Sequence, residues 1–145
     1  MNFIARSLIA GICFLNFASC ASQGSDPLER AATACNSGTA QIGLYDGFLQ
    51  RLCGCTEGAS DPILTGTPLT CTVALNAMVT FHFLGTQAPH QILSDGSPAF
   101  ASSPYSDPKA ATPIRAHAVQ FTVAGSYRFR DVSDAGLTGT IIVTP

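Results

Sequence analysis

From about residue 63 onward the chain alternates apolar and polar side chains with a period of two. Leu69, Cys71, Val73 and Leu75 are separated by Thr70, Thr72 and Ala74, and Val79, Phe81 and Phe83 by Thr80 and His82. Val119, Phe121 and Val123 alternate with Gln120 and Thr122, and past Ala124-Gly125 the residues Tyr127 and Phe129 alternate with Arg128 and Arg130. A β-branched run from Ile141 to Thr144 follows. Period two marks a strand with one face buried. Such runs, punctuated by turn residues, predict an all-β, Greek-key β-sandwich. Ala124-Gly125 reads as the tight turn of a hairpin between two of these strands. Helical signals are confined to the first third. Asp26-Pro27-Leu28-Glu29 combines an N-cap acceptor, a first-turn proline and an acid, and predicts a short helix to about Cys35, stopped by Asn36-Ser37-Gly38. Tyr45, Phe48, Leu49 and Leu52 fall at helical spacing and predict a second short helix. Residues 94–113 carry Pro98, Pro104, Pro108 and Pro113 and read as a long loop, a functional segment or a cover.

Composition narrows the class. At 145 residues and 15.0 kDa the chain has room for one domain. Hydrophobic residues are 46% and charged residues 11%. That excludes a disordered chain, which needs the opposite balance. The net charge is −2, and Lys109 is the one lysine, so no basic stripe exists for nucleic acid. No Gly-x-Ser-x-Gly elbow, His-Glu-x-x-His pair or Gly-rich phosphate loop occurs, and the expectation is a protein that is not an enzyme.

The first residues read as an address. Arg6 supplies a positive charge, and Ser7 to Phe17 is apolar but too short to span a bilayer. Phe17-Ala18-Ser19-Cys20 resembles the lipobox of bacterial lipoproteins, in which the cysteine is acylated after cleavage. The alternative is ordinary secretion with cleavage after Ala21. The resemblance implies a leader over residues 1–19 and lipidation at Cys20; the chain then reads as a tether and short helix over 20–38 and the sandwich over 39–145. Ala21 after the cysteine, by analogy with other lipoproteins, points to the outer membrane, facing the periplasm or the cell surface. Cysteine parity agrees. Cys13 leaves with the leader, and if Cys20 carries lipid an even set remains: Cys35, Cys53, Cys55 and Cys71. In an oxidising compartment these predict two disulfides. A Cys53–Cys55 bond would close a strained ring across Gly54. The pairings left are Cys35–Cys53 with Cys55–Cys71, or Cys35–Cys55 with Cys53–Cys71. A thiolate metal site at Cys53-Gly54-Cys55 is the competing use of the same residues.

Three stretches in order resemble the cupredoxins, the small blue-copper proteins such as plastocyanin and amicyanin. Val79-Thr80-Phe81-His82-Phe83 leads to His90, which matches the family's first copper ligand. Phe121 to Phe129, with Gly125-Ser126-Tyr127, is similar to the family's Gly-x-Tyr-x-Phe element. Leu137 to Val143 is similar to the ligand loop feeding the last strand. The likeness covers about residues 60 to 145. It departs at the metal. A blue-copper centre needs two imidazoles, a thiolate and a weak axial thioether. In the amicyanin-like spacing Asp131 stands at the thiolate, Asp134 at the second imidazole and Leu137 at the thioether, so only His90 is kept. If the hairpin turned at Ala124-Gly125, His117 would lie toward the same end. His90, His117, Asp131 and Asp134 are therefore the candidate residues for a remodelled copper or zinc site, against a site that has lost its metal and binds no cofactor. His82, on the polar phase of its strand, reads as a solvated or loop-covered histidine. Two function classes stay open. One is a lipid-anchored structural or partner-binding module with residues 94–113 as its surface and an unnamed protein partner. The other is a copper- or zinc-handling protein.

Overall fold

The computed structural model describes residues 35–145. The leader, Cys20, the tether and nearly all of the expected helix over residues 26–35 lie outside the described residues. Nine strands follow in order: β1 (Thr39–Tyr45), β2 (Phe48–Cys53), β3 (Ile63–Leu64), β4 (Leu69–Ala74), β5 (Met78–Phe83), β6 (Ile92–Ser94), β7 (Ala116–Gln120), β8 (Gly125–Asp131) and β9 (Thr138–Thr144). They form two sheets, ordered β3-β2-β1-β5-β7 and β4-β9-β8-β6. The pairs β1–β5 and β4–β9 are parallel and the others antiparallel. The fold is the all-β, two-sheet sandwich that the alternation implies.

The alternation sorts side chains as read. Val79, Phe81 and Phe83 of β5 are buried, as are Leu69, Cys71 and Val73 of β4 and Ile141 and Val143 of β9. Phe81 meets Phe129 edge-on at 5.1 Å, and Phe121 meets Tyr127 at 4.8 Å, so aromatic rings fill the space between the sheets. Each such buried ring contributes about 1.5–3 kcal/mol from water exclusion alone. The Tyr127 hydroxyl donates to the Val123 carbonyl at 2.8 Å and pins the crossing into β8.

Two local expectations are corrected. The segment 45–52 is not a helix: Tyr45 closes β1 and Phe48 opens β2, paired across Asp46-Gly47. Asp-Gly between apolar runs is a strong two-residue hairpin signal, and Gly47 takes a φ of +82°, a conformation that favours glycine. The turn chemistry outranks the helical spacing. Second, Ala124-Gly125 does not join a hairpin. β7 pairs with β5 in one sheet and β8 with β9 and β6 in the other, so the link passes between sheets.

The proline-rich loop is a built cover. Phe100 packs against Phe81 and Phe121. Ser103 exchanges bonds with Ile92, and Ser106 exchanges backbone bonds with His90. Both serines are buried. The four cysteines among the described residues take the first of the two pairings, Cys35–Cys53 and Cys55–Cys71. Gly54 between them has φ +79° and lies so close to Thr39 that a Cβ would strike the Thr39 carbonyl at 2.0 Å. Only glycine fits there.

Candidate functional site

Strand directions define two ends of the sandwich. β1 and β5 run toward one end, where the Asp46-Gly47 turn lies. β8 finishes there at Asp131, and β9 starts from the adjoining loop. His90 stands at this end, just ahead of β6, held by its backbone bridge to Ser106.

His90 is 2% exposed and Asp131 is fully buried. The His90 Nδ1 lies 2.8 Å from Asp131 Oδ2, and its Nε2 lies 2.8 Å from Asp46 Oδ1. Each ring nitrogen therefore faces a carboxylate oxygen, which can only accept. Both contacts are hydrogen bonds at once only if both nitrogens carry protons. The geometry thus calls for an imidazolium. Burial opposes that charge, but the bonds to Asp131 and Asp46 and their negative charges outweigh it, and the ring is held above its ordinary value of 6.5.

The carboxylates are fixed from further sides. Burial would raise the pKa of Asp131, but His90 and the donated N–H groups of Gln91 and Asp134 prevail and hold it below 3.8. Burial likewise works against ionised Asp46, and His90 with the N–H groups of Gln87 and Ala88 holds it below 3.8. Asp46 remains partly open, its side chain 40% exposed. The three residues link the β1–β2 turn of one sheet, through His90, to the end of β8 in the other.

The expected ligand set is not assembled. Asp131 and His90 meet, as the spacing implied. Asp134 is next to them in the chain, but its carboxylate accepts from the Thr65 hydroxyl and the Gly136 N–H. His117 pairs with Phe81 within the other sheet, and its Nε2 lies 2.8 Å from the Ala101 carbonyl. It lies toward this end as expected, because β7 starts where β5 finishes, but the hairpin expected to set its strand beside β8 does not form. Leu137 is 1% exposed and belongs to the core. Cys53 and Cys55 are consumed by disulfides, so the thiolate site is not available among the described residues. Among those residues no group of three or more His, Cys, Asp or Glu side chains stands in a metal-holding arrangement.

Asp46 is the residue sequence reasoning missed. Its signal was the Asp-Gly turn, which places a carboxylate at a sheet end, but nothing local tied that turn to His90. His82 lies on β5, at the position expected to be solvated or loop-covered. It is half-buried, and neither ring nitrogen has a hydrogen-bond partner, so burial lowers its pKa below 6.5.

A blue-copper centre does not fit these residues. The thiolate position holds a carboxylate, the axial position an apolar side chain, and the one matching imidazole has both nitrogens engaged. A metal ligand must present a lone pair, so any metal at His90 would first displace a proton and a carboxylate.

No family model matches the chain, and no curated protein does. Among solved structures it is similar to a purple cupredoxin from Nitrosopumilus maritimus, at 20% identity over 53% of this chain and 79% of that one, with a TM-score of 0.44. It is also similar to two variants of amicyanin in the Cu(I) form, at 15% and 14% identity, each over 78% of this chain and 89% of the other, with TM-scores of 0.46 and 0.47.

Proposed function

We propose that this is an exported, lipid-anchored, non-catalytic module, structural or partner-binding, in which a hydrogen-bonded ion triad has replaced the blue-copper centre. The observation that carries it is the double engagement of His90. With Asp131 on Nδ1 and Asp46 on Nε2, the ring is a fixed cation and not a ligand. Electron transfer at a blue-copper centre needs a thiolate bound to the metal, and Asp131 supplies none. The ring, its two carboxylates and the backbone N–H groups around them satisfy one another, so the end of the sandwich is closed without a metal. The two disulfides fit an oxidising compartment, and the lipobox-like sequence ending at Cys20 supports the anchor.

One preparation tests both parts. The chain is extracted from membranes of the expressing bacterium, weighed by mass spectrometry and titrated with Cu(II). The expected results are an acyl mass on Cys20, a colourless protein and no intense thiolate-to-copper band. A blue chromophore would overturn the loss of the copper centre. A soluble chain bearing unmodified Cys20, or one cleaved after Ala21, would overturn the anchor.

A further inference from the structure

The two sheets have four outer edges, at β3, β7, β4 and β6, and three of these are closed or cut short. β6 is sealed by the loop that follows it. The Ser103 N–H donates to the Ile92 carbonyl, and the Ile92 and Ser94 N–H groups donate to the hydroxyls of Ser103 and Ser102. β4 is sealed by Thr56, Glu57 and Arg51, which engage the backbone of Thr70 and Thr72. β3 is two residues long, and past it Ser60 bonds the backbone of Arg51 on β2. Among the described residues β7 is the edge left open. The Phe83 N–H donates to Arg115 and the Phe121 N–H to Ala77, so residues 115, 117, 119 and 121 aim their backbone groups at β5. Ala116, Ala118 and Gln120 therefore turn theirs outward. All three residues are exposed, and none of their backbone N–H and C=O groups has a partner among the described residues. Such an edge is a template for another strand, and natural sheets usually cover it.

A groove runs along this edge. Its volume is about 390 Å³, within the range of ligand sites, and it is lined by residues 99–101 of the proline-rich cover, by 118–123 and by Tyr127. None of these is Asp, Glu, Lys, Arg or His. An extended segment paired with β7 would present alternate side chains to that lining, which includes the rings of Phe100, Phe121 and Tyr127. Arg115, immediately before β7, is exposed, and its guanidinium has no partner among the described residues. A carboxylate on the docked segment would complete it. A second copy of β7 offers none, since residues 114–127 contain no Asp or Glu.

We infer that β7 takes up an extended, apolar segment of a partner protein as a sixth strand of its sheet, with an acidic residue of that segment beside Arg115. This rests on the partner-binding reading of the module, and it gives the cover a use, since residues 99–101 form a wall of the groove. Main-chain hydrogen bonds supply the affinity, and the groove supplies the preference among side chains.

The probe is a short synthetic peptide of alternating valine and threonine with glutamate at each end, added to the full chain as extracted from the expressing bacterium. Amide hydrogen exchange is followed by NMR. The Ala116, Ala118 and Gln120 amides should exchange fast in the chain alone and slow by about tenfold or more with saturating peptide. A peptide methylated on every main-chain nitrogen should leave them fast. Lysine in place of both glutamates should weaken binding by about fivefold, the usual ceiling for an exposed ion pair, and Arg115→Glu should reverse that preference. Ala118→Pro should abolish binding without unfolding the chain, because the N–H it removes already faces away from β5. Three amides that stay fast with the unmethylated peptide would overturn the docking, and so would equal binding of the methylated one. Slow exchange in the chain alone would assign the edge to the chain's own residues, or to a second copy where sedimentation shows a dimer, and would overturn it as well. Cu(II) added to the same chain reads the earlier proposal separately: fast amides in a colourless protein would overturn the docking and leave the loss of the copper centre standing.

Discussion

Replacing Asp131 with alanine is expected to destabilise the fold by about 3–5 kcal/mol, the usual consequence of removing one partner from a buried ion pair. Asp131 is fully buried and serves three donors, the His90 ring and the N–H groups of Gln91 and Asp134. Alanine would leave all three without their acceptor in a place water does not reach. The loss is large against a total stability of about 5–15 kcal/mol for an ordinary domain. Asp131→Asn separates charge from shape. Its carbonyl can still accept from the Gln91 N–H, while its amide replaces the oxygen that served His90 and the Asp134 N–H, and as a donor forces that ring toward the neutral form. The asparagine variant should therefore lose less stability than alanine, and its His90 should titrate lower than in the parent. Urea denaturation of the three proteins measures the order. An alanine variant within about 1 kcal/mol of the parent would mean that the triad holds nothing together.

The second large effect is expected at the other end. Cys55–Cys71 ties the segment after β2 to β4, and so joins one sheet to the other across a separation of 16 residues. Removing a disulfide that closes a loop of this size costs about 2–4 kcal/mol, by freeing the unfolded chain. Cys71 is also fully buried in the core, so Cys55→Ala with Cys71→Ala loses packing as well. Cys35–Cys53 links the segment before β1 to an adjoining strand, and Cys35 is only half-buried. Its removal by the matching double alanine change should cost less. Urea midpoints of the two double variants would show the ranking, and a reversed order would contradict the assignment of the inter-sheet tie to Cys55–Cys71. The sandwich is thus fastened at opposite ends by different chemistry, a disulfide at one and an ion triad at the other.

How much of this was legible varies along the chain for physical reasons. β4, β5, β8 and β9 show clean alternation because each has one face on the core. β1 was hidden: Ala40, Ile42 and Leu44 alternate inward, but Gly43 breaks the outward pattern, and the close packing of Tyr45 and Leu84 over it needs the absent side chain. The helix expected over 45–52 arose because spacing of three and four also occurs across a two-residue turn. His90 with Asp131 was legible through a resemblance that aligned them with metal ligands. Asp46 was not, since it reaches His90 from 44 residues away through the parallel pairing of β1 with β5. His117 was read toward the correct end but beside the wrong strand, because a strand entering a turn looks the same whether the next strand returns in its own sheet or crosses to the other.

The linkage has a definite sign. His90 is raised in the folded state, so its contribution is complete below about pH 6.5 and is lost as pH climbs through the raised value. Asp131 and Asp46 are lowered, so theirs is present above about pH 3.8 and is lost as pH falls through their folded values. The triad is strongest between those limits. Its direct test is a nitrogen–proton NMR titration of the histidine rings in the intact protein. The account predicts that His90 carries protons on both nitrogens at pH 6.5 and titrates above that value, while His82, shielded and without partners, titrates below it. A His90 that is neutral at pH 6.5, or that presents a bare Nδ1 to a bound metal, would contradict the replacement of the copper centre by a proton-held ion triad.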